Sequence, residues 1–350
     1  MSRVGKETIL VVNPGSTSTR VSLFEDGQER SGATLPAPDM EPGSDLWDEF
    51  PLRLTAIRGW LSRENIPLGK LGAVVGRGGL FRPVAGGAYQ VNEAMLADAR
   101  GNRQGKHASN LGCALARALA DEAGREGETP VLALVVDPVS TDEFQELARI
   151  SGLREIPRVS LSHALSIHAV VHRHCRRAAR TVSGTRFVVA HLGGGISVCP
   201  VLDGKIIDAN NANSGGPFSP TRAGGLPTQE LIALCFSGRF TQGDLTEMTV
   251  KRGGLLSYLG TDDGKEIEDR IQKGDEEAAL VYEAMAYQIA KEIGAVGIIG
   301  QSYLNLGFLY RLKKRNDLAK DYFQKAIEMF EKNEAEEFLN QSNEALNSLG

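Results

Sequence analysis

The chain is predicted to be an α/β protein of two lobes with a short helical tail, and three observations lead there. Short apolar runs of strand length alternate with helix-length amphipathic stretches over the first 300 residues. Two of those runs, around Val11–Asn13 and Ala190–Leu192, break into turns of small and hydroxylic residues and then resume as second strands. Beyond residue 300 composition and periodicity both change. A length of 350 residues with 41% hydrophobic content suffices for two cores of ordinary size.

In order along the chain, residues 8–13 read as a strand and Thr19–Phe24 as its hairpin partner, with Glu25-Asp26-Gly27 as the next turn. Asp45–Asn65 has helical spacing of Leu52, Leu54, Ile57, Trp60 and Leu61. Leu71–Val75 is a short buried strand ending at Gly76-Arg77-Gly78-Gly79. A helix over Asn110–Ala123 and a strand over Val131–Val136 follow, the latter stopping at Asp137-Pro138. His163–Arg180 reads as helix. Phe187–His191, Ile196–Leu202 and Lys205–Asn210 then form a three-stranded meander, an architectural echo of the opening hairpin. Residues 213–227 are rich in Gly, Pro, Ser and Asn, as in an ordered site loop, and helices continue to about residue 296.

The formal net charge of −5 excludes a general nucleic-acid binder, which would be basic. Neither a signal-peptide pattern nor an apolar run near the ~18 residues of a membrane span is present in the sequence. The four cysteines are scattered without a Cys-x-x-Cys pair, which suits neither zinc nor a disulfide framework. A cytoplasmic protein with reduced thiols is expected, without nucleic-acid or membrane partners.

Candidate chemistry sits in the loops. In Asn13–Arg20, Asn13 can hold a phosphate or a metal-bound water, the hydroxyls of Ser16, Thr17 and Ser18 can donate, and Arg20 adds charge; Asn-Pro-Gly would equally make a plain hairpin turn. In the second turn Gly193, Gly194 and Gly195 let the backbone approach an anion, and His191 can bond a phosphoryl oxygen; a flexible hairpin with a buried histidine is the alternative. Arg77 and Arg222 stand in glycine- or proline-bounded loops where a guanidinium can clamp a carboxylate or phosphate bidentately. Asp137 lies at a strand's carboxyl end, where open α/β sheets place ligands. His163 opens a helix. His168, His172 and His174 have helical spacing on an Arg-rich stretch and read as a solvated face. There is no Walker or Gly-x-Gly-x-x-Gly pattern after a strand.

Residues 8 to about 296 resemble the butyrate kinases, within the acetate kinase branch of the actin-like ATPase superfamily. Eight ordered blocks carry the resemblance: VVNPGSTSTR, VVGRGGLFRPVAGG, KHASNLG, VVDPVSTDEF, SHALS, AHLGGGISV, SGGPFSPTRAGGLPT and KRGGLLSYLGTDD. The resemblance implies two actin-like (ribonuclease H-like) domains and transfer of a phosphoryl group from ATP to a short-chain fatty acid, with Mg²⁺. It places Asn13, Ser16 and Arg20 in the first phosphate element and His191 to Gly195 in the second. Arg77 and Arg222 bracket the carboxylate and the phosphoryl group in flight. Asp137 is the catalytic aspartate, sharing the metal with Asn13, and His163 stabilises the transition state. A small carboxylic acid substrate and a homo-oligomer are implied.

Past residue 296 the family pattern stops. Residues 1–300 hold 24 Arg and 8 Lys, residues 301–350 hold 2 Arg and 5 Lys. Tyr303, Leu306, Gly307, Tyr310, Ala319, Phe323 and Ala326 stand where a tetratricopeptide repeat has its signature residues, and Asn347-Ser348-Leu349-Gly350 resembles the start of a second repeat. The expected organisation is therefore 1–154 for the first actin-like domain and 155–297 for a second one without its last strands and adenosine loop. Residues 298–350 form an all-α hairpin tail. The competing expectation is a catalytically defective kinase-like body acting as an interaction protein through that tail.

Overall fold

Thr8–Pro14 (β1) is a run of β-branched and apolar residues whose Leu10 and Val12 are fully buried. It pairs antiparallel with Ser18–Glu25 (β2), which pairs antiparallel with Gln28–Pro36 (β3). On its other side β1 runs parallel to Ala73–Gly76 (β4). The sheet continues through Leu132–Val136 (β6), parallel to β4, to the short antiparallel strand Ala88–Gln90 (β5), in the order β3-β2-β1-β4-β6-β5. The computed structural model describes residues 8–41, 43–127, 129–293, 303–308, 310–311, 314–332 and 336–349.

Glu49–Arg63 (α1) buries Leu54, Ile57, Trp60 and Leu61, while Leu52 stays about half exposed. Glu93–Arg100 (α2) starts where the Asn92 side chain accepts a hydrogen bond from the Met95 amide. Leu111–Glu126 (α3), rich in alanine, packs on β1, β4 and β6 with Leu111, Leu115 and Leu119 fully buried. Each such leucine contributes roughly 1.5–3 kcal/mol of burial, so α3 is the main clamp on the parallel strands. Glu146–Arg149 (α4) is a single turn. Ala164–Arg177 (α5) buries Ala164, Ile167, Val171 and Cys175.

The chain divides into two compact units, residues 1–187 with 201–208, and residues 188–200 with 209–350. Arg186–His191 (β7), Ser197–Leu202 (β8) and Lys205–Ile206 (β9) form a three-stranded sheet in the order β7-β8-β9. The third strand is shorter than the expected Lys205–Asn210. Asn210 instead turns its side chain onto β8, with Oδ1 accepting from the Val198 amide at 2.5 Å and Nδ2 donating to the Ile196 carbonyl at 2.9 Å.

Helices follow: Thr228–Cys235 (α6), Gln242–Val250 (α7), Gly254–Leu259 (α8), Gly264–Gln272 (α9) and Glu276–Glu292 (α10). Thr241 and Asp244 form a capping box at the start of α7, and Asp263 and Asp275 cap α9 and α10. Phe218, Leu255, Leu259, Ile267, Ala278 and Val281 form their core. Residues 303–308 are helical, and Asn316–Lys332 (α11) and Glu336–Asn347 (α12) complete the described chain. The end of the family pattern expected at about residue 296 lies outside the described residues. Among the described residues no helix is long and apolar enough to cross a membrane.

Candidate functional site

The parallel trio β1, β4 and β6 fixes the first half of the site. Val12 is in register with Gly76 and Gly76 with Val135, so Asn13, Arg77 and Asp137 leave the sheet at one carboxyl edge. That edge is where open α/β sheets receive ligands. The Arg77 amide donates to the Val12 carbonyl at 2.8 Å, and its Nη1 lies 3.4 Å from Asn13 Oδ1. Burial lowers the Arg77 pKa, yet a guanidinium remains charged at any physiological pH. The Asn110 side chain anchors the loop, with Oδ1 accepting from the Leu80 amide at 2.9 Å and Nδ2 donating to the Gly105 carbonyl at 3.0 Å.

The Asn13–Arg20 turn closes with the Gly15 amide donating to the Ser18 carbonyl at 2.7 Å. A residue that sequence reasoning did not single out holds it from behind. Arg53 of α1, 2% exposed, donates to the Gly15 carbonyl at 2.9 Å and the Thr19 hydroxyl at 2.6 Å, and pairs with Glu49 at 2.7 Å. With the carbonyls thus taken, Ser16 and Thr17 stay exposed. Arg20 sits opposite Asn13 across the hairpin, exposed, with Nη2 3.7 Å from Glu29 Oε1.

Asp137 has φ 39°, in the left-handed region that a non-glycine residue rarely adopts. Its Oδ1 accepts from the Gly87 amide at 2.7 Å and its Oδ2 lies 3.1 Å from His168 Nδ1. Burial works to raise the Asp137 pKa, but the hydrogen bond and charge of His168 outweigh it and hold the carboxyl below its ordinary value. This corrects the reading of the His168 cluster as a solvated face. His172 and His174 are exposed, but His168 is buried, with Nε2 3.2 Å from Glu143 Oε2 on its other side. Local spacing gave no sign of it because both carboxylates are more than 20 residues away in the chain. His163 is the N-cap residue of α5, half-buried, its carbonyl accepting from the Ile167 amide at 3.1 Å. Beside it the Ser162 hydroxyl is buried without a hydrogen-bond partner.

In the second unit the His191–Ser197 turn and the Ser219–Arg222 loop are laced together. Ser219 Oγ and Thr221 Oγ1 both donate to the Gly194 carbonyl, at 2.6 and 3.0 Å. The Arg222 amide donates to Ser219 Oγ at 3.1 Å, and Nη1 donates to the Ala212 carbonyl at 2.9 Å. A Cβ on Gly195 would collide with the Arg222 guanidinium, so glycine is needed for that approach. Burial lowers the Arg222 pKa as it does that of Arg77. His191 ends β7, half-buried, at the start of the turn, with Gly193 and Gly194 next to it. The structure thus brings His191, Gly193, Gly194, Gly195 and Arg222 together within the second unit, and Asn13, Arg77 and Asp137 along one sheet edge of the first.

Residues 158–301 match the Acetokinase family. An acetate kinase structure from Porphyromonas gingivalis superposes with TM-score 0.64 at 20% identity, covering 82% of this chain and 79% of that one. A propionate kinase from Francisella tularensis gives the same values. Fold, sheet-edge groups and family match together define a phosphotransferase with a carboxyl group as acceptor. A probable butyrate kinase 2 from Caldanaerobacter subterraneus is 47% identical over 293 residues, 83% of this chain and 81% of the relative. Butyrate kinase 2 from Clostridium acetobutylicum is 39% identical over 325 residues, 92% of this chain and 90% of the relative. The chain belongs to the butyrate kinase family of short-chain fatty acid kinases.

Proposed function

We propose that this protein transfers the γ-phosphoryl group of ATP directly to the carboxylate of butanoate, giving ADP and butanoyl phosphate. The observation that carries the reading is the shared carboxyl edge at which Asn13, Arg77 and Asp137 emerge in register. Arg77 is assigned to the acceptor carboxylate, where a half-buried guanidinium gives bidentate orientation. Asn13, Ser16 and Arg20 take one part of the phosphate chain and His191 with Gly193–Gly195 another, while Arg222 and His163 face charge on the moving phosphoryl oxygens. The acceptor is ionised at neutral pH, so no general base is needed, and positioning plus cationic stabilisation suffices for phosphoryl transfer.

The donor set suits Mg²⁺, which takes one or two protein oxygens and completes its shell with phosphates and water. Asp137 uses two lone-pair positions on Gly87 and His168 and keeps others free, and Asn13 Oδ1 is a second hard oxygen. These two residues would hold the ion. When bound, it neutralises phosphate charge.

The tail fits one tetratricopeptide-like hairpin in place of the family's last strands and adenosine loop. Ala319, Phe323 and Ala326 are fully buried, and a Cβ on Gly307 would strike the Phe323 ring. By analogy with the family the protein acts in the cytoplasm as a homo-oligomer.

A coupled ADP-release assay with hydroxamate trapping tests the reaction, using butyrate, acetate and glycerol. Butyrate and acetate should give hydroxamate, glycerol none. At about 0.8 kcal/mol per buried methylene, kcat/KM should favour butyrate over acetate by about 15-fold. Arg222→Ala should lower kcat by about 10²–10³-fold. ADP release with glycerol alone, or equal rates in Arg222→Ala and wild type, would overturn the reading.

A further inference from the structure

We propose that His168 is a positioning residue, which fixes the Asp137 carboxylate at the sheet edge by linking it to Glu143. The inference rests on the role given to Asp137 above and adds the group that holds it.

Asp137 and Glu143 are bound alike. Each gives one oxygen to a backbone amide of the Gly86-Gly87 loop, Asp137 Oδ1 to Gly87 at 2.7 Å and Glu143 Oε1 to Gly86 at 3.2 Å. Each gives the other oxygen to His168, at 3.1 Å on Nδ1 and 3.2 Å on Nε2. Glu143 Oε2 also accepts from the Ile206 amide at 2.8 Å. The imidazole is 6% exposed, and a Cβ on Gly86 would come within 2.8 Å of both His168 Cε1 and Glu143 Oε1. The glycine pair therefore closes directly over the triad.

A carboxylate oxygen faces each ring nitrogen, so the imidazole is held on both sides at once. Glu143 neutralises the second ring nitrogen and ties it to β9, which stops the ring from turning. What the arrangement delivers is direction. Asp137 occupies a left-handed backbone conformation, and its free lone pairs point wherever His168 and Gly87 leave them. Groups that act on a phosphoryl transition state must be held to within about 0.5 Å, which a lone strained aspartate would not guarantee.

The test compares His168→Ala and His168→Gln with wild type, using butyrate and MgATP. In His168→Ala kcat should fall about 10–100-fold and the half-saturating Mg²⁺ concentration should rise, while KM for butyrate stays within about threefold. His168→Gln can still donate one hydrogen bond to Asp137 and should recover part of the lost kcat. A purely structural histidine would lower the melting temperature and leave kcat per folded molecule unchanged, and that result would overturn the inference. Should His168→Ala fail to fold, His168→Gln decides alone, with wild-type kcat and Mg²⁺ dependence counting against it. Should wild type make no butanoyl phosphate, the proposed function falls, and a crystal structure of His168→Gln settles the positioning. An Asp137 carboxylate within about 0.5 Å of its present place would then overturn it, and a turned one would support it.

Discussion

Arg53 carries a full charge at 2% exposure, and its partners explain why it is tolerated there. Its donors reach Glu49, the Gly15 and Ser18 carbonyls and the Thr19 hydroxyl. Removing it leaves buried acceptors unpaired, each a loss of roughly 1–3 kcal/mol, while the partly exposed Glu49 can rehydrate. Arg53→Met should therefore cost about 3 kcal/mol in urea denaturation and raise KM for ATP through a loosened Asn13–Arg20 turn. A loss under about 0.5 kcal/mol would mean that water replaces the guanidinium. Asp98 shows the same logic with a pH signature. Hydrogen bonds from Arg82 hold its pKa down to about 2, so its contribution is present above its ordinary value near 4 and is lost as pH falls through about 2. Since Arg82 is more than half exposed, the contribution is about 1 kcal/mol. Asp98→Asn should be less stable than wild type by that amount at pH 7, with the difference closing as pH falls through about 2. That Asn13, Arg77 and Asp137 stand at strand ends was legible in the sequence, because turn chemistry marks those ends locally. The burial of Arg53, Glu143 and His168 was not, because most of their partners are far away in the chain and leave no local pattern.

At the scale of elements, α3 decides how closely the helical layer approaches the parallel strands. A Cβ on Gly112 would collide with the Arg77 carbonyl, which is backbone and cannot step aside. Gly112→Ala should destabilise by about 3 kcal/mol or more and, by displacing Arg77, raise KM for butyrate. Gly124 lies in the same helix, where an added Cβ meets nothing nearer than 3.7 Å. There alanine should stabilise by roughly 0.5–1 kcal/mol through helix propensity and a less flexible unfolded chain. Opposite signs in one helix, read as urea midpoints, check the packing argument; two losses of equal size would refute it. The same reasoning explains which elements could be read in advance. β1, β4, β6 and α3 combine apolar runs with sharp end signals. β3 is an edge strand with only Leu35 buried, and β5 is three residues long, so neither leaves an apolar pattern. α2, capped by Asn92, buries only Met95, Asp98 and Ala99, which also leaves no apolar stripe.

On the scale of the whole molecule, the described residues carry separate apolar cores, and this governs how the chain unfolds. One surrounds β1, β4, β6, α1 and α3; another joins α8, α9 and α10. A third, built from Leu304, Ala319, Phe323, Ala326 and Ala345, belongs to residues 303–349 alone. Between that last group and α10, Lys325 Nζ donates to Glu283 Oε1 at 2.9 Å and the Tyr322 hydroxyl donates to the same oxygen at 3.4 Å. Lys325 and Glu283 are each about one-third exposed, and such pairs contribute about 0.2–1 kcal/mol. Because the third cluster is built from its own residues, it should melt apart from the other two. Phe323→Ala opens a cavity in the third cluster and should cost it about 3–5 kcal/mol. In the whole 350-residue chain, calorimetry and far-ultraviolet circular dichroism should then show early loss of helix, with the remaining transition in place. Butyrate-dependent ADP release below that first transition should match wild type. A single transition shifted as a whole, or loss of activity in step with the lost helix, would instead mean that the C-terminal helices are an integral part of the second unit's fold.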